Sequence, residues 1–245
     1  MRGWLSPLCA LALVTAFASP ALAGKGPRKS EVVWVAPDFA SFDVRSIAML
    51  PVATFDFNVD ARRSTENAFG QSLRGTGYRW VSTLVTRDQI VREGGDSLLK
   101  AFTQGLLKTG RLDSLDAPRF SRATRARALF TVRVDRFERM ELDFSQSGRP
   151  TTTVQLTAAI VDSTGRLLWT ASGSEVAEGP YQDAGAGVIG VKSSGLNNTP
   201  IRADGGAPSY AETLSRLLAR WLPQFPSRPA PTPAPTPAPA PAPAN

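Results

Sequence analysis

The stretch TTTVQLTAAIVDSTGRLLWTASGSEV, residues 151–176, predicts two β-strands joined by a tight turn. Residues 151–161 are rich in the β-branched residues that strands favour, and residues 166–176 include Trp169, Thr170 and Val176. The four residues between them begin with Asp162 and end with Gly165, a composition typical of a short turn. This hairpin indicates an antiparallel part of a sheet in the second half of the chain.

A different pattern precedes the hairpin in the first half of the chain. Residues 46–52, SIAMLPV, form a nearly continuous apolar run of the kind that a strand buried on both faces shows. A helix is predicted over residues 60–74, with Asn58 or Asp60 as its N-cap. A further strand at residues 78–81 then completes a strand-helix-strand unit.

Helices and one long strand connect these two halves. Residues 86–89, TRDQ, match a capping box and predict the start of a helix, which the glycine pair at residues 94–95 interrupts. Another helix is expected over residues 117–127, followed directly by a strand over residues 128–137, and a last helix over residues 209–221. The predicted fold class is therefore mixed α/β (α+β), a single mixed sheet with helices packed on it.

The two ends of the chain differ in composition from this domain. Arg2, an apolar run over residues 8–17 and the small residues that end at Ala23 predict a signal peptide cleaved after Ala23. The apolar run is about ten residues, shorter than the ~20 that a membrane-spanning helix needs. From residue 229 proline alternates mostly with alanine, which favours an extended, solvated polyproline-type segment. We therefore expect an exported protein, periplasmic or secreted, with no transmembrane segment in the mature chain.

These features divide the chain into segments of different composition. They are a signal peptide (1–23), an N-terminal extension with a short strand at 32–35 (24–45), the α/β domain (46–223) with a long Gly/Asn-rich loop (179–208), and a disordered Pro/Ala-rich tail (224–245).

The composition restricts the chemistry that the mature chain can perform. The sequence contains no histidine, and its one cysteine, Cys9, lies inside the predicted signal peptide. A Ser-His-Asp triad, a Cys nucleophile and a His- or Cys-ligated zinc site are therefore excluded after cleavage. We expect a protein that is not an enzyme and that needs no cofactor or metal. The formal net charge of +7 favours anionic surfaces, although an exported protein is not expected to meet nucleic acid.

One stretch carries two signatures of serine enzymes that react with penicillin. Residues 97–100, SLLK, fit S-x-x-K, and residues 108–110, KTG, fit K-T-G. Both signatures fall on one predicted amphipathic helix, where Lys100 and Lys108 lie about 12 Å apart along the axis. In the enzymes the two motifs lie on separate elements across the active site, so we interpret the matches as coincidence.

The densest basic run of the sequence, from Arg119 to Arg139, is one candidate contact surface. Five of its arginines are candidate contacts with an anionic partner: Arg119, Arg122, Arg125, Arg127 and Arg133. The alternative is a solvated surface, with some of the charges paired to Asp135, Glu138 and Glu141. The acidic residues alone could also suggest a glycosidase, but nothing in their spacing places a pair across a cleft. The loop over residues 179–208 is a second candidate contact surface, because unstructured segments of that length are uncommon.

Three stretches resemble one family of bacterial envelope proteins. They are IAMLPV at residues 47–52, ATRARALFTVRV at 123–134 and IVDSTGRLLW at 160–169. Their order and spacing are similar to the family that includes the curli-secretion lipoprotein, the outer-membrane activator of a penicillin-binding protein and the N-terminal domain of TolB. The similarity spans residues 46–176, with Arg127 in place of the family's usual acidic residue.

The resemblance implies a non-enzymatic envelope module that binds other proteins and has no catalytic residues. The chain departs from the family's lipoproteins because its predicted mature form has no N-terminal cysteine to carry a lipid. The leading hypothesis is therefore an accessory or scaffold protein that acts through protein–protein binding in envelope assembly. The alternatives are a binder of anionic envelope polymer or lipid through its arginines, and a hydrolase that uses neither His nor Cys.

Overall fold

A mixed β-sheet forms the centre of the protein. The computed structural model describes residues 31–55, 58–143, 145–184 and 206–228, and these residues contribute seven strands to the sheet. In chain order the strands are β1 (Val32–Val35), β2 (Ser46–Met49), β3 (Ala53–Thr54), β4 (Arg79–Val81), β5 (Ala128–Met140), β6 (Thr151–Asp162) and β7 (Leu167–Glu178). The predicted single mixed sheet with packed helices is confirmed.

Four α-helices accompany the strands within the described residues. They are α1 (Val59–Ser72), α2 (Thr83–Thr109), α3 (Asp116–Thr124) and α4 (Tyr210–Trp221). Single turns of 3₁₀-helix occur at Phe39–Ser41, Arg74–Thr76 and Leu222–Gln224. None of the described helices combines the length and the apolar character that crossing a membrane requires.

The sheet joins an antiparallel half to a parallel half. Its strand order is β1-β7-β6-β5-β2-β4, and the short β3 pairs with β5 beyond the end of β2. Strands β1, β7, β6 and β5 are antiparallel neighbours, whereas β2 runs parallel to both β4 and β5. The predicted strand-helix-strand unit is β2-α1-β4, and the predicted hairpin is β6-β7.

The hairpin turn forms for the local reasons that the sequence indicates. Oδ1 of Asp162 accepts hydrogen bonds from the backbone N–H groups of Thr164, at 2.8 Å, and Arg166, at 3.0 Å. Gly165 has a φ of 87°, which glycine adopts without steric cost. A side chain at position 165 would also meet the backbone of Ser114, because an added Cβ would lie 2.8 Å from the Cα of that residue.

Helices cover both faces of the sheet. Helices α1 and α4 share one hydrophobic core with Ile47 of β2 and Phe130 of β5. Helices α2 and α3 share a second core with Ala48 of β2 and Leu129 of β5. Successive residues of a strand point to opposite faces of the sheet. The buried segments of β2 and β5 are therefore covered by helices on both faces, and the domain has three layers: helix, sheet and helix.

The N-cap of α1 lies where the sequence predicts it, whereas α2 begins earlier than predicted and α3 ends at Thr124 rather than at residue 127. The side chain of Asn58 caps α1 by accepting from the N–H of Ala61 at 2.9 Å. The predicted start of the next helix at Thr86 is wrong, because Ser82 follows β4 directly and its side chain caps the helix four residues earlier. Thr86 is fully buried inside the first turns. The predicted interruption of the helix by glycines is confirmed at Gly94 and Gly95, where the backbone is not helical.

Both penicillin-type signatures lie on α2, as the sequence predicts. Gly110 ends the helix in the left-handed conformation, with a φ of 71°. Lys100 and Lys108 therefore belong to one helix rather than to facing elements.

The folded part of the chain includes residues on both sides of the range 46–223. The predicted short strand at 32–35 is confirmed as β1, which pairs with β7. Past Pro223, Phe225 is buried and the N–H of Arg228 donates to the carbonyl oxygen of Thr76 at 2.9 Å. The predicted signal peptide, the tail from residue 229 and residues 185–205 of the long loop lie outside the described residues.

Candidate functional site

A groove opens at the carboxyl end of β2, between α1 and α2. Its volume is about 670 Å³, within the range of roughly 300–1,000 Å³ that ligand pockets occupy. The segment after β2 and the two helices supply its lining, which comprises Pro51, Val52, Thr54, Arg62, Arg63, Glu66, Ser82, Thr83, Leu84, Arg87, Leu99, Lys100, Thr103, Gln104 and Leu107.

The sheet topology explains why a crevice forms at this place. The chain leaves β2 toward α1, which covers one face, and leaves β4 toward α2, which covers the other face. The return strand β5 then pairs on the opposite side of β2 from β4. Connections that diverge to opposite faces leave a gap at the carboxyl ends of the strands, where open α/β sheets bind their ligands.

The break in α2 brings both of its halves to the groove. Leu84 and Arg87 precede the break, Leu99 and Lys100 follow it, and all four line the same cavity. Gly95 has a φ of 69° and a ψ of −175°, a conformation open essentially to glycine alone. A side chain at Gly94 would collide with its surroundings, since an added Cβ would lie 2.6 Å from Nη2 of Arg119. The glycine pair thus shapes the groove.

Cationic side chains outnumber acidic ones in the groove lining. Arg62 and Arg63 come from α1, Arg87 and Lys100 come from α2, and Glu66 is the one acidic residue of the lining. Within the part of the chain that the structure describes, none of these four cations forms an ion pair. Their charges stand beside leucines, so the groove presents positive charge next to apolar surface.

Glu66 is the titratable group whose environment stands out in the groove. Burial raises the pKa of its carboxyl group, while the N–H of Val52 and the charges of Arg62 and Arg87 oppose that rise. The N–H of Val52 donates to Oε1 at 3.4 Å. The carboxyl group is thus held at the junction of α1 and the segment that follows β2.

A second cavity continues the groove along α1. It has a volume of about 470 Å³ and shares Glu66, Ser82 and Thr83 with the first cavity. Its lining then runs past Trp80 of β4 to Arg74 at the end of α1. Strand β4 is an edge strand among the described residues. Together the two cavities form an elongated groove, from here on the α1 groove, beside this edge.

The structure disperses the arginines that the sequence analysis selected. Arg119 and Arg122 lie on α3, Arg125 is its C-terminal cap in the left-handed conformation, and Arg127 is exposed just before β5. Arg133 lies apart from them, inside β5, where Nη1 donates to the carbonyl oxygen of Leu107 at 3.4 Å. None of these five residues lines the α1 groove.

Several arginines of the run have carboxylate partners. The ion pairs are Arg119–Glu93 at 3.8 Å, Arg133–Asp135 at 2.6 Å, Arg136–Glu138 at 2.7 Å and Arg139–Glu141 at 2.7 Å. The pairing expected with Asp135, Glu138 and Glu141 is therefore confirmed.

The sequence analysis missed the cations of the α1 groove. Helical spacing places Arg62 and Glu66 on one face of α1, and Leu99 and Thr103 on one face of α2. That signal shows which residues share a helix face, but it does not show that the two faces meet.

Comparison with known proteins gives only distant structural similarities. The sequence matches no protein-family model and no curated protein. A lipoprotein of Neisseria meningitidis, GNA1162, is similar with a TM-score of 0.40 and 16% identity over 74% of this chain and 96% of its own. The PelC dodecamer protein of Paraburkholderia phytofirmans has a TM-score of 0.36 and 18% identity over 60% and 80%. The hypothetical protein CT253 of Chlamydia trachomatis has a TM-score of 0.37 and 10% identity over 74% and 99%.

Identities this low assign no function to the chain. The resemblance to the curli-secretion group therefore stays a prediction.

Proposed function

We propose that this chain is an exported, non-enzymatic binding module of the bacterial envelope that holds a protein partner in the α1 groove. The observation that carries the proposal is the set of groove cations, Arg62, Arg63, Arg87 and Lys100, without ion pairs among the described residues and next to apolar surface. Arginine is one of the residue types in which binding energy concentrates at protein interfaces.

The wall formed by α2 supplies the apolar part of the proposed interface. Leu84 is 67% exposed and Val85 is 45% exposed at the start of the helix. Leu84 lies in the groove lining together with Leu99 and Leu107 from the second half of the helix. A partner that covers these side chains would remove apolar surface from water, which is the main driving force of association.

Export and the absence of catalysis rest on the sequence. The predicted signal peptide supports export, and a mature chain without His and Cys lacks the imidazole base and the thiol nucleophile that many hydrolases use. The alternative, binding of an anionic polymer or lipid through the arginine run, has less support because Arg133, Arg136 and Arg139 each pair with a carboxylate.

Site-specific photocrosslinking in host cells tests the proposal. A photoreactive amino acid at Leu84 should yield discrete protein adducts in envelope fractions, because this side chain lies at the rim of the groove. The matched control is Leu115, which is 84% exposed but does not line the groove. The charge reversal Arg87→Glu should remove the adducts formed from position 84.

Two results would contradict the proposed function. One is the absence of protein adducts from position 84, or adducts that form equally from position 115. The other is recovery of the protein from the cytosol with its first residues intact, since the proposal requires export.

A further inference from the structure

We infer that the α1 groove recognises an extended acidic peptide segment of its partner, in which carboxylates alternate with apolar side chains. The inference rests on the proposed function and names the chemistry of the partner. It follows from the charge, the length and the hydrogen-bonding groups of the groove.

The charge of the groove selects an anionic ligand. Cations from α1 and α2 face one cavity, where Glu66 is the single acidic residue of the lining. Arginine binds carboxylates through two parallel N–H donors, so Asp and Glu side chains are the peptide groups that match Arg62, Arg63 and Arg87.

The length of the groove fits several residues of extended chain. Along α1 the lining runs from Arg62 to Gln71, a distance of about 14 Å at the helical rise of 1.5 Å per residue. An extended peptide covers that distance with about four residues at ~3.3 Å each. Side chains of such a peptide alternate in direction, so apolar residues can face the leucines while carboxylates reach the rim.

The hydrogen-bonding groups favour a peptide over a lipid acyl chain. Thr54, Glu66, Ser82 and Thr103 place hydroxyl and carboxyl groups along the lining. An acyl chain would remove these groups from water without replacing their hydrogen bonds, which is costly. A peptide can donate its backbone N–H groups to the same oxygens.

Selection from a displayed library of random peptides tests the inference directly. The mature protein serves as bait, and the double variant Arg62→Glu, Arg87→Glu serves as counter-selection bait after its fold has been verified by circular dichroism and thermal unfolding. Peptides that bind the mature protein but not the double variant are groove-dependent. The expected result is enrichment of groove-dependent peptides in which Asp or Glu alternates with apolar residues. These peptides should bind the Arg87→Ala variant at least ~10-fold more weakly than the mature protein, as expected when a central charged contact of an interface is removed.

Arg122→Ala is the matched control for the charge change. Arg122 is an exposed arginine of α3 outside the groove lining, and its removal should leave peptide affinity within about twofold, as for other surface substitutions away from a site. Equal loss with Arg122→Ala and Arg87→Ala would overturn the inference, because net charge rather than the groove would then explain binding.

The remaining outcomes separate this inference from the proposed function. Enriched peptides without acidic residues, or no groove-dependent peptide at all, overturn the inference, whereas crosslinked partners at Leu84 would still support the function. Vesicles of phosphatidylglycerol that bind the mature protein but not the double variant, without any groove-dependent peptide, would assign the groove to lipid instead. Failure of both the library and the crosslinking would overturn both proposals.

Discussion

Nη1 of Arg220 on α4 donates a hydrogen bond of 2.6 Å to Oε2 of Glu175 on β7. The same guanidinium group donates from Nε to Glu31, at 2.9 Å from Oε2, and Glu31 also accepts from Nε1 of Trp221 at 2.8 Å. Burial lowers the pKa of Arg220, but its hydrogen bonds to Glu175 and Glu31 outweigh that effect and raise it. One arginine thus ties the residue before β1, the strand β7 and the last helix together.

Replacing Arg220 tests this cluster. Arg220→Met should lower the free energy of unfolding, because Glu31 and Glu175, whose side chains are 9% and 10% exposed, would lose their partner. We expect a loss of about 2 kcal/mol, below the roughly 3–5 kcal/mol of a fully buried pair, since 34% of the Arg220 side chain remains in water. Urea unfolding at neutral pH measures the change. The control Arg216→Met, which removes an exposed pair with Glu212, should cost no more than about 0.5 kcal/mol.

The break in α2 depends on glycine at position 95. Gly95→Ala places a Cβ on a backbone with φ 69° and ψ −175°, at a cost of about 1–3 kcal/mol. Gly105→Ala is the control, because Gly105 lies within the same helix with open space around it, and alanine there should stabilise by about 0.5–1 kcal/mol. Thermal unfolding of both variants gives the comparison. Two variants of equal stability would contradict the role of Gly95.

Phe225 extends the hydrophobic core beyond the last helix. Its ring centroid lies 5.0 Å from that of Trp169, 6.2 Å from that of Trp80 and 6.4 Å from that of Tyr78. Phe225→Ala should therefore destabilise the protein by about 3–4 kcal/mol, as for other buried phenylalanines. Denaturant unfolding should detect this loss, whereas Leu115→Ala at an exposed position should change stability by less than about 0.5 kcal/mol.

The carboxyl group of Glu66 gives stability a defined pH dependence. Its pKa in the folded protein is raised above the ordinary glutamate value of 4.5, mainly by burial. The folded state therefore binds this proton more tightly, so the contribution to stability is full below pH 4.5 and is lost as pH rises through the folded pKa. Glu66→Gln keeps an oxygen acceptor for Val52 but removes the charge. The variant should unfold at a higher temperature than the wild type at pH 7, and the difference should vanish below pH 4.5. If Glu66→Gln unfolded at a lower temperature than the wild type at pH 7, this would contradict the conclusion that burial in the groove raises the pKa of Glu66.

Much of the fold could be predicted because its signals are local. The strands β6 and β7 follow from residue type and from the Asp162–Gly165 turn, and the buried β2 follows from its continuous apolar run. The start of α2 was predicted four residues too late, because the capping-box pattern begins at Thr86, whereas in the folded protein Ser82 caps the helix and Thr86 is buried.

The sequence by itself determined the order of the elements, the turn and cap residues, and the absence of His from the chain. These properties depend on single residues and their near neighbours. Tertiary structure alone decided that Arg62 and Arg63 of α1 share a groove with Arg87 and Lys100 of α2. It also paired Arg133 with Asp135 and left the groove cations without such partners among the described residues. The physical reason is that periodicity specifies the faces of each helix separately, whereas β2, α1 and α2 meet only through long-range packing on both faces of the sheet and a break at Gly95.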